Sequence, residues 1–374
     1  MKTILVIGAG HIGATIARML SGTGDYAVTL ADASAEALSA AAEPGVATVQ
    51  LDVGNAGDLG KALAGQFAAV SALPYHLTYK VAKAAKAAGA HYLDLTEDVV
   101  ATRKIKALAA GAETAFIPQC GLAPGFISIV AADLCARFDT LHDVRLRVGA
   151  LPKYPSNALN YNLTWSTDGV INEYCEPCEA IVDGQPRQTR ALEELEAFSL
   201  DGVAYEAFNT SGGLGSLCET LAGKVRNLNY RTIRYPGHAA IMKALLNDLR
   251  LRDRRELLKD ILENAVPATL QDVVIVFVTV SGMMGGHLVQ ETYANKIYAR
   301  QVDGRVLPAI QITTASAMCA AVDLLAARQL PQKGFVRQEE IGLADFLANR
   351  FGRAYSLAEE TNFMPAPKSL EAAQ

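Results

Sequence analysis

Lys2-Thr3-Ile4-Leu5-Val6-Ile7-Gly8-Ala9-Gly10-His11-Ile12-Gly13 is the stretch whose reading decides the fold. A short β-branched apolar run leads straight into a Gly-x-Gly-x-x-Gly turn, and a helical pattern follows from Ala14 to Leu20. Strand, glycine turn and helix in that order open a dinucleotide-binding βαβ unit. Gly8 permits the tight turn, Gly10 lets the backbone approach a pyrophosphate, and Gly13 allows close packing of helix on strand. The helix start at His11 and Ile12 aims free N–H groups and a partial positive charge at phosphates. Val28-Thr29-Leu30-Ala31 reads as the second strand and ends on Asp32, nineteen residues after Gly13, close to the spacing of an acid that binds ribose hydroxyls. A carboxylate there repels a 2′-phosphate, and Ala33-Ser34-Ala35-Glu36 has no arginine to hold one, so the expected cofactor is NAD.

The rest of the chain suits two domains. Its 374 residues exceed one typical domain. A net charge of −5 and a pI near 5.8 disfavour nucleic acid or an anionic membrane as partner. No apolar run is read as a membrane span, and the N-terminus enters a strand directly, so a cytoplasmic location without signal peptide is expected. Six cysteines in this length make no disulfide scaffold. Cys175-Glu176-Pro177-Cys178 lacks a second ligand pair, so no metal site is expected.

The expected fold class is α/β, a Rossmann-type doubly wound parallel sheet followed by a second α+β domain with a mostly antiparallel sheet. Residues 1–124 alternate six strand-like runs with Ala-rich helical segments. Residues 125–310 form the substrate-binding and dimerisation domain. There Val144, Leu146 and Val148 alternate with Arg145, Arg147 and Gly149, as in a strand with one solvated face. Asp183-Gly184, Asp201-Gly202 and Asp303-Gly304 signal hairpins, and the apolar runs between Asp272 and Val302 offer pairing across a dimer. Residues 311–374 read as helices returning to the first domain, then a loose tail around Pro365 and Pro367.

Ligands in open α/β sheets sit at the carboxyl ends of the strands. Asp52-Val53 follows the third strand, placed either to touch adenine or to cap a helix. Ala72-Leu73-Pro74-Tyr75-His76 follows the fourth, Asp94-Leu95-Thr96 the fifth, and Gln119-Cys120-Gly121-Leu122-Ala123-Pro124-Gly125 the sixth. The last three sets, Ala72, Leu73 and Pro74 included, are expected to converge on the nicotinamide.

These loops, with GAGHIG at the start and the Tyr92-Leu93-Asp94-Leu95 strand, resemble the saccharopine dehydrogenase family, and within it lysine 6-dehydrogenases. Asn162-Leu163-Thr164-Trp165-Ser166 with Gly169, the run Asn209 to Gly215, and Leu228 to His238 extend the likeness to about residue 350. The resemblance implies NAD(P)-linked oxidation of a C–N bond at the ε-nitrogen of lysine or a lysine adduct, in a homo-oligomer such as a dimer. Glutamate-forming saccharopine dehydrogenases bind a three-carboxylate substrate and are typically longer, so length points to lysine itself. The rivals are saccharopine oxidation and a non-catalytic dinucleotide sensor.

Oxidising a lysine ε-carbon needs a neutral amine, because an ammonium has no lone pair to push, and its ordinary pKa is about 10.4. A carboxylate or dipole must face the developing iminium. Asp94 is the candidate for that task, against a reading as strand-end cap. Tyr75 is either a proton relay or a lid tyrosine, and His238 either the base or a polar contact at a helix start. Cys120 is expected to line the pocket as a packing residue, and Thr164 to touch substrate. Arg231 or Arg234 is expected to clamp the α-carboxylate; strand alternation puts them on opposite faces and favours Arg234 beside Tyr235.

Overall fold

A computed structural model describes residues 1–302 and 304–356. The strands in chain order are β1 (Lys2–Ile7), β2 (Tyr26–Asp32), β3 (Val46–Gln50), β4 (Ala68–Ser71), β5 (His91–Asp94), β6 (Ala115–Ile117), β7 (Thr140–Pro152), β8 (Cys178–Val182), β9 (Gln185–Thr189), β10 (Glu196–Leu200), β11 (Val203–Asn209), β12 (Val225–Arg234), β13 (Asp272–Met284), β14 (His287–Tyr298), β15 (Arg300–Val302), β16 (Arg305–Leu307) and β17 (Gly334–Phe335). The helices are α1 (His11–Ser21), α2 (Ala35–Ala40), α3 (Ala56–Leu63), α4 (Tyr75–Ala88), α5 (Val99–Ala109), α6 (Phe126–Cys135), α7 (Thr167–Cys175), α8 (Leu217–Leu221), α9 (His238–Lys243), α10 (Arg255–Ala265), α11 (Ala309–Ala326) and α12 (Leu343–Ala348).

The first sheet is parallel throughout, in the order β17-β6-β5-β4-β1-β2-β3. Six of these strands follow the doubly wound dinucleotide order. The seventh, β17, is a two-residue strand that the sequence reading missed; Gly334-Phe335 is too short to carry a period. Period-two alternation serves both faces of β1. Ile4 and Val6 join the core that contains Ile16 of α1, while Leu5 and Ile7 join the core that contains Val81 of α4 and Ile105 of α5.

The second sheet runs β10-β11-β12-β7-β13-β14, with β8 on β12 and β9 on β8. All its pairings are antiparallel except β12 on β7. The strands between Asp272 and Tyr298 pair with each other and with β7 inside one chain. Asp183-Gly184 and Asp201-Gly202 each turn a hairpin, whereas Asp303 lies outside the described residues, as does the tail with Pro365 and Pro367. The expected solvated face of β7 is solvated only at Arg145. Arg147 is 3% exposed, because its guanidinium pairs with Glu196 at 2.7 Å and lies over the Phe277 ring.

The chain then returns to the first sheet. The buried Asp272 carboxylate accepts N–H groups of Ala309 and Ile310 and so caps α11 from β13. Tyr26 of β2 donates to Asp323 of α11 at 2.5 Å, and Arg350 bridges Asp25 and Asp323 at 2.6 Å each. Helix α11 has the length and apolar composition of a membrane span, which the sequence reading did not register; 78% of it is buried in the protein.

Candidate functional site

A cavity of about 610 Å³ lies between the two lobes. The first lobe contributes Gly10 to Gly13, Ala72 to Tyr75, Leu95 to Glu97 and Gly121 to Pro124. These are the glycine turn and the carboxyl ends of β4, β5 and β6, where a doubly wound sheet binds its ligand. The second lobe contributes Thr164 and Trp165, Asp168 and Glu173 of α7, and Tyr230, Thr232 and Arg234 of β12, among others.

The glycine turn has the form a dinucleotide requires. Gly8 has φ +110°, and a Cβ on it would stand 2.6 Å from the Ala72 carbonyl oxygen. A Cβ on Gly13 would fall 1.8 Å from the Gly8 oxygen, whereas one on Gly10 would meet nothing within 4 Å. Gly8 and Gly13 thus close the turn, and Gly10 leaves its cavity side open for a diphosphate at the N-terminus of α1. Asp32 accepts the Ala9 N–H at 2.7 Å and the Ser34 N–H at 2.8 Å, which fixes its carboxylate at the end of β2. His11 and Ile12 line the cavity. Asp32, Asp52 and Val53 do not; Asp52 accepts the Gly54 N–H at 2.7 Å, a local turn contact.

Of the substrate-side candidates, Arg234, Tyr75 and Thr164 line the cavity. Arg234 is 2% exposed, yet no carboxylate pairs with it among the described residues. Its Nε donates to the Tyr174 hydroxyl at 3.0 Å and Nη1 to the Ile233 carbonyl at 2.9 Å. A buried guanidinium so placed calls for an anion. The buried Thr164 hydroxyl likewise has no partner among the described residues.

Four candidates lie elsewhere. Arg231 points to the other face of β12, where it pairs with Glu196 at 2.7 Å and Glu194 at 3.0 Å. His238 is fully buried behind the cavity wall, with Nδ1 2.8 Å from the Leu159 carbonyl and Nε2 3.1 Å from the Tyr174 hydroxyl. Burial, helped by Arg234, pushes its pKa down to about 3, so it is neutral and does not reach substrate as a base. Asp94 lies under the cavity floor, accepting N–H groups of Thr96 and Gln119 at 3.0 Å each and the Tyr92 hydroxyl at 2.8 Å. Burial raises it to about 6 against those three hydrogen bonds. It ties the loop after β5 to the loop after β6 and touches no ligand space. Cys120 is buried beneath the same floor against Gln338 and Ile117, and burial pushes its thiol far above the usual range.

Three carboxylates that line the cavity without a cation partner among the described residues were not among the candidates: Glu97, Glu173 and, at the exposed rim, Glu263. Glu97 comes one residue after Thr96, beyond the Asp94-Leu95-Thr96 stretch that strand-end reasoning reaches. Glu173, on the nearly wholly buried helix α7, stands in no motif. Glu173 is 5% exposed and pushed up to about 8, first by burial and then by the Glu97 charge. Glu97 is pushed up to about 7, first by burial. Asp168 also lines the cavity but pairs with Lys259 at 2.6 Å.

A parallel nucleotide-type sheet, an open glycine turn and a second lobe closing one cavity define a two-lobed dinucleotide-binding protein. Residues 4–117 match the family profile of the saccharopine dehydrogenase NADP binding domain, and residues 121–352 that of the saccharopine dehydrogenase C-terminal domain. The chain belongs to the saccharopine dehydrogenase family. It is 24% identical to the L-glutamate-forming, NADP(+) saccharopine dehydrogenase of Saccharomyces cerevisiae over 272 residues, 67% of this chain and 59% of that protein. It is also 24% identical to the mitochondrial alpha-aminoadipic semialdehyde synthase of Rattus norvegicus over 192 residues, 49% of this chain but 21% of that protein. The chain thus spans only part of the curated relatives it matches. The fold of the apo L-Glu-forming saccharopine dehydrogenase from S. cerevisiae superimposes with a TM-score of 0.76 at 17% identity, covering 91% of this chain and 94% of that one. That coverage removes the argument from length: the solved relative carries no large extra segment.

Proposed function

We propose that the protein is a dehydrogenase that oxidises the distal C–N bond of L-lysine to the 6-semialdehyde, with NAD as hydride acceptor. The observation that carries this reading is the charge of the cavity. Among the described lining residues Arg234 is the one arginine or lysine, against three carboxylates that pair with no cation: the inner Glu97 and Glu173 and the exposed Glu263. One guanidinium suits one α-carboxylate. Saccharopine brings three carboxylates, two of which would find acidic walls. The names of the curated relatives favour saccharopine as the second reading.

The chain's own residues divide the work. Gly10 and the α1 N-terminus would hold the diphosphate, and Asp32 the ribose hydroxyls. When bound, the nicotinamide supplies the hydride acceptor. The loops Ala72 to Tyr75 and Gly121 to Pro124 shape the place where that ring meets substrate. Arg234 orients the amino acid by its carboxylate. Loss of a hydride leaves an iminium, which water hydrolyses to semialdehyde and ammonia.

NAD, as against NADP, is supported by the Asp32 carboxylate at the end of β2 and the absence of arginine in Ala33 to Glu36. A panel of L-lysine and saccharopine, each with NAD or NADP and read by reduced-nicotinamide absorbance, tests both points. Turnover with saccharopine alone overturns the lysine reading, and turnover with NADP alone overturns the cofactor reading.

A further inference from the structure

We propose that Glu97 and Glu173 form a carboxyl pair, one member from each lobe, that seats the distal amine of the substrate and takes its proton. The inference deepens the amine-oxidation reading above and rests on it. Glu97 stands in the loop between β5 and α5, Glu173 on α7, and both line the cavity with Arg234. Two consecutive residues after β11 hold them together. Ser211 donates its N–H to the Glu173 carbonyl at 3.0 Å. Gly212, at φ +87°, lies so close to Glu97 that a Cβ would fall 2.3 Å from the Glu97 carbonyl oxygen. This gives Gly212, within the Asn209 to Gly215 run, its reason to be glycine.

Neither carboxylate is in an ion pair among the described residues. Around Glu173 stand Glu97, Arg234, Tyr230, Tyr174, Tyr161 and Cys178. Around Glu97 stand Glu173, Asp94, Asp98 and Tyr75. Arg234 is the one cation in either set, and it is needed for the substrate carboxylate. Burial, with the Glu97 charge near Glu173 and the Asp98 and Asp94 charges near Glu97, keeps protons on these acids above the usual carboxyl range, and the two lack a positive charge. An alkylammonium supplies it.

The step balances as follows. On seating of the substrate the pair gives up its retained proton to solvent, and R–CH2–NH3⁺ then passes one proton to one of the two carboxylates and becomes R–CH2–NH2. The nitrogen lone pair then forms the C=N bond as the C–H bond breaks, and the C–H electron pair leaves as hydride to the oxidised nicotinamide dinucleotide, the oxidant. The proton passes from the carboxyl to solvent. The re-ionised carboxylate then faces the iminium R–CH=NH2⁺.

The test uses the full chain saturated with NADH, so that no turnover occurs. L-Lysine is titrated calorimetrically near neutral pH in phosphate and in Tris, buffers of low and high ionisation enthalpy. Seating a cation beside acids that retain a proton expels that proton, so the apparent enthalpies differ between buffers. Glu97→Gln and Glu173→Gln each cut that difference by about half or more. Glu173→Gln also lowers kcat about 100-fold or more, with NADH affinity within about twofold. Equal enthalpies in the two buffers for the unaltered protein overturn the proposal, and that measurement needs no variant to fold. Retention of kcat within about threefold by both glutamine variants overturns it equally. A protein that binds NADH yet gives neither heat nor turnover with lysine instead refutes the lysine reading, and the pair's role with it.

Discussion

The Tyr174 hydroxyl accepts a hydrogen bond from Arg234 Nε at 3.0 Å. The direction of the chain behind it is fixed by chemistry. The Leu159 carbonyl can only accept, so His238 Nδ1 carries the hydrogen, Nε2 accepts, and Tyr174 donates to it. Neither Tyr174 nor His238 lines the cavity. They aim a guanidinium that does.

Tyr174→Phe removes the acceptor of Arg234 Nε and leaves two buried polar groups without partners, at about 1–3 kcal/mol. The expected result is a KM for the amino acid raised about tenfold, with kcat within about threefold and NADH affinity unchanged. Because the residues act in series, adding His238→Ala to Tyr174→Phe costs little more, and a double-mutant cycle reads that coupling. An unchanged KM in Tyr174→Phe excludes the aiming role.

Gly10 and Gly13 make opposite predictions from the same motif. Gly13→Ala drives a methyl into the Gly8 carbonyl, so the turn must open and the melting temperature falls steeply. Gly10→Ala meets no protein atom, so the melting temperature holds while dinucleotide affinity drops about tenfold or more. Thermal melts and NADH fluorescence titration on both variants check this. Equal loss of stability in the two would mean that the space beside Gly10 is not ligand space.

The parallel sheet was legible because βα units carry their signals locally: the glycine turn after β1, and apolar runs of strand length at β2 to β6. The site was legible as far as strand ends reach. Arg234 followed from alternation along one strand. His238 was misassigned because a histidine at a helix start looks the same whether it faces a cavity or the carbonyl of Leu159, which is 79 residues away in sequence. Asp94 was placed at the right strand end, but its three donors come from Tyr92, Thr96 and the distant Gln119, and only the folded loops show that they saturate it. Glu173 was invisible for a similar reason: its partner Glu97 belongs to the other lobe.

Asp94→Asn tests the revised role. An amide cannot accept all three hydrogen bonds, and its NH2 opposes donors, so the loops bearing Glu97 and Gly121 to Pro124 lose their tie. We expect a loss of about 1–3 kcal/mol in stability along with lower kcat. The melting temperature separates this from direct chemistry: a fully stable Asp94→Asn with no turnover would return Asp94 to the reacting atoms.

Glu173 and His238 impose opposite pH dependence on stability. The Glu173 carboxyl is raised from 4.5 to about 8, so between those values the native state holds a proton that the unfolded chain has lost. Its contribution is present at low pH and lost as pH rises through about 8. His238 is lowered from 6.5 to about 3, so in that window the unfolded chain holds the extra proton, and stability is lost as pH falls below about 6.5. Glu173→Gln removes the first penalty and should melt higher than the unaltered protein at about pH 8, by the equivalent of about 1 kcal/mol or more, while being less active. His238→Gln should lose less stability between about pH 6.5 and 5 than the unaltered protein. Melting curves from about pH 5 to about pH 8 decide both, and a Glu173→Gln protein that melts lower at about pH 8 would show that the carboxylate has a native partner compensating its burial.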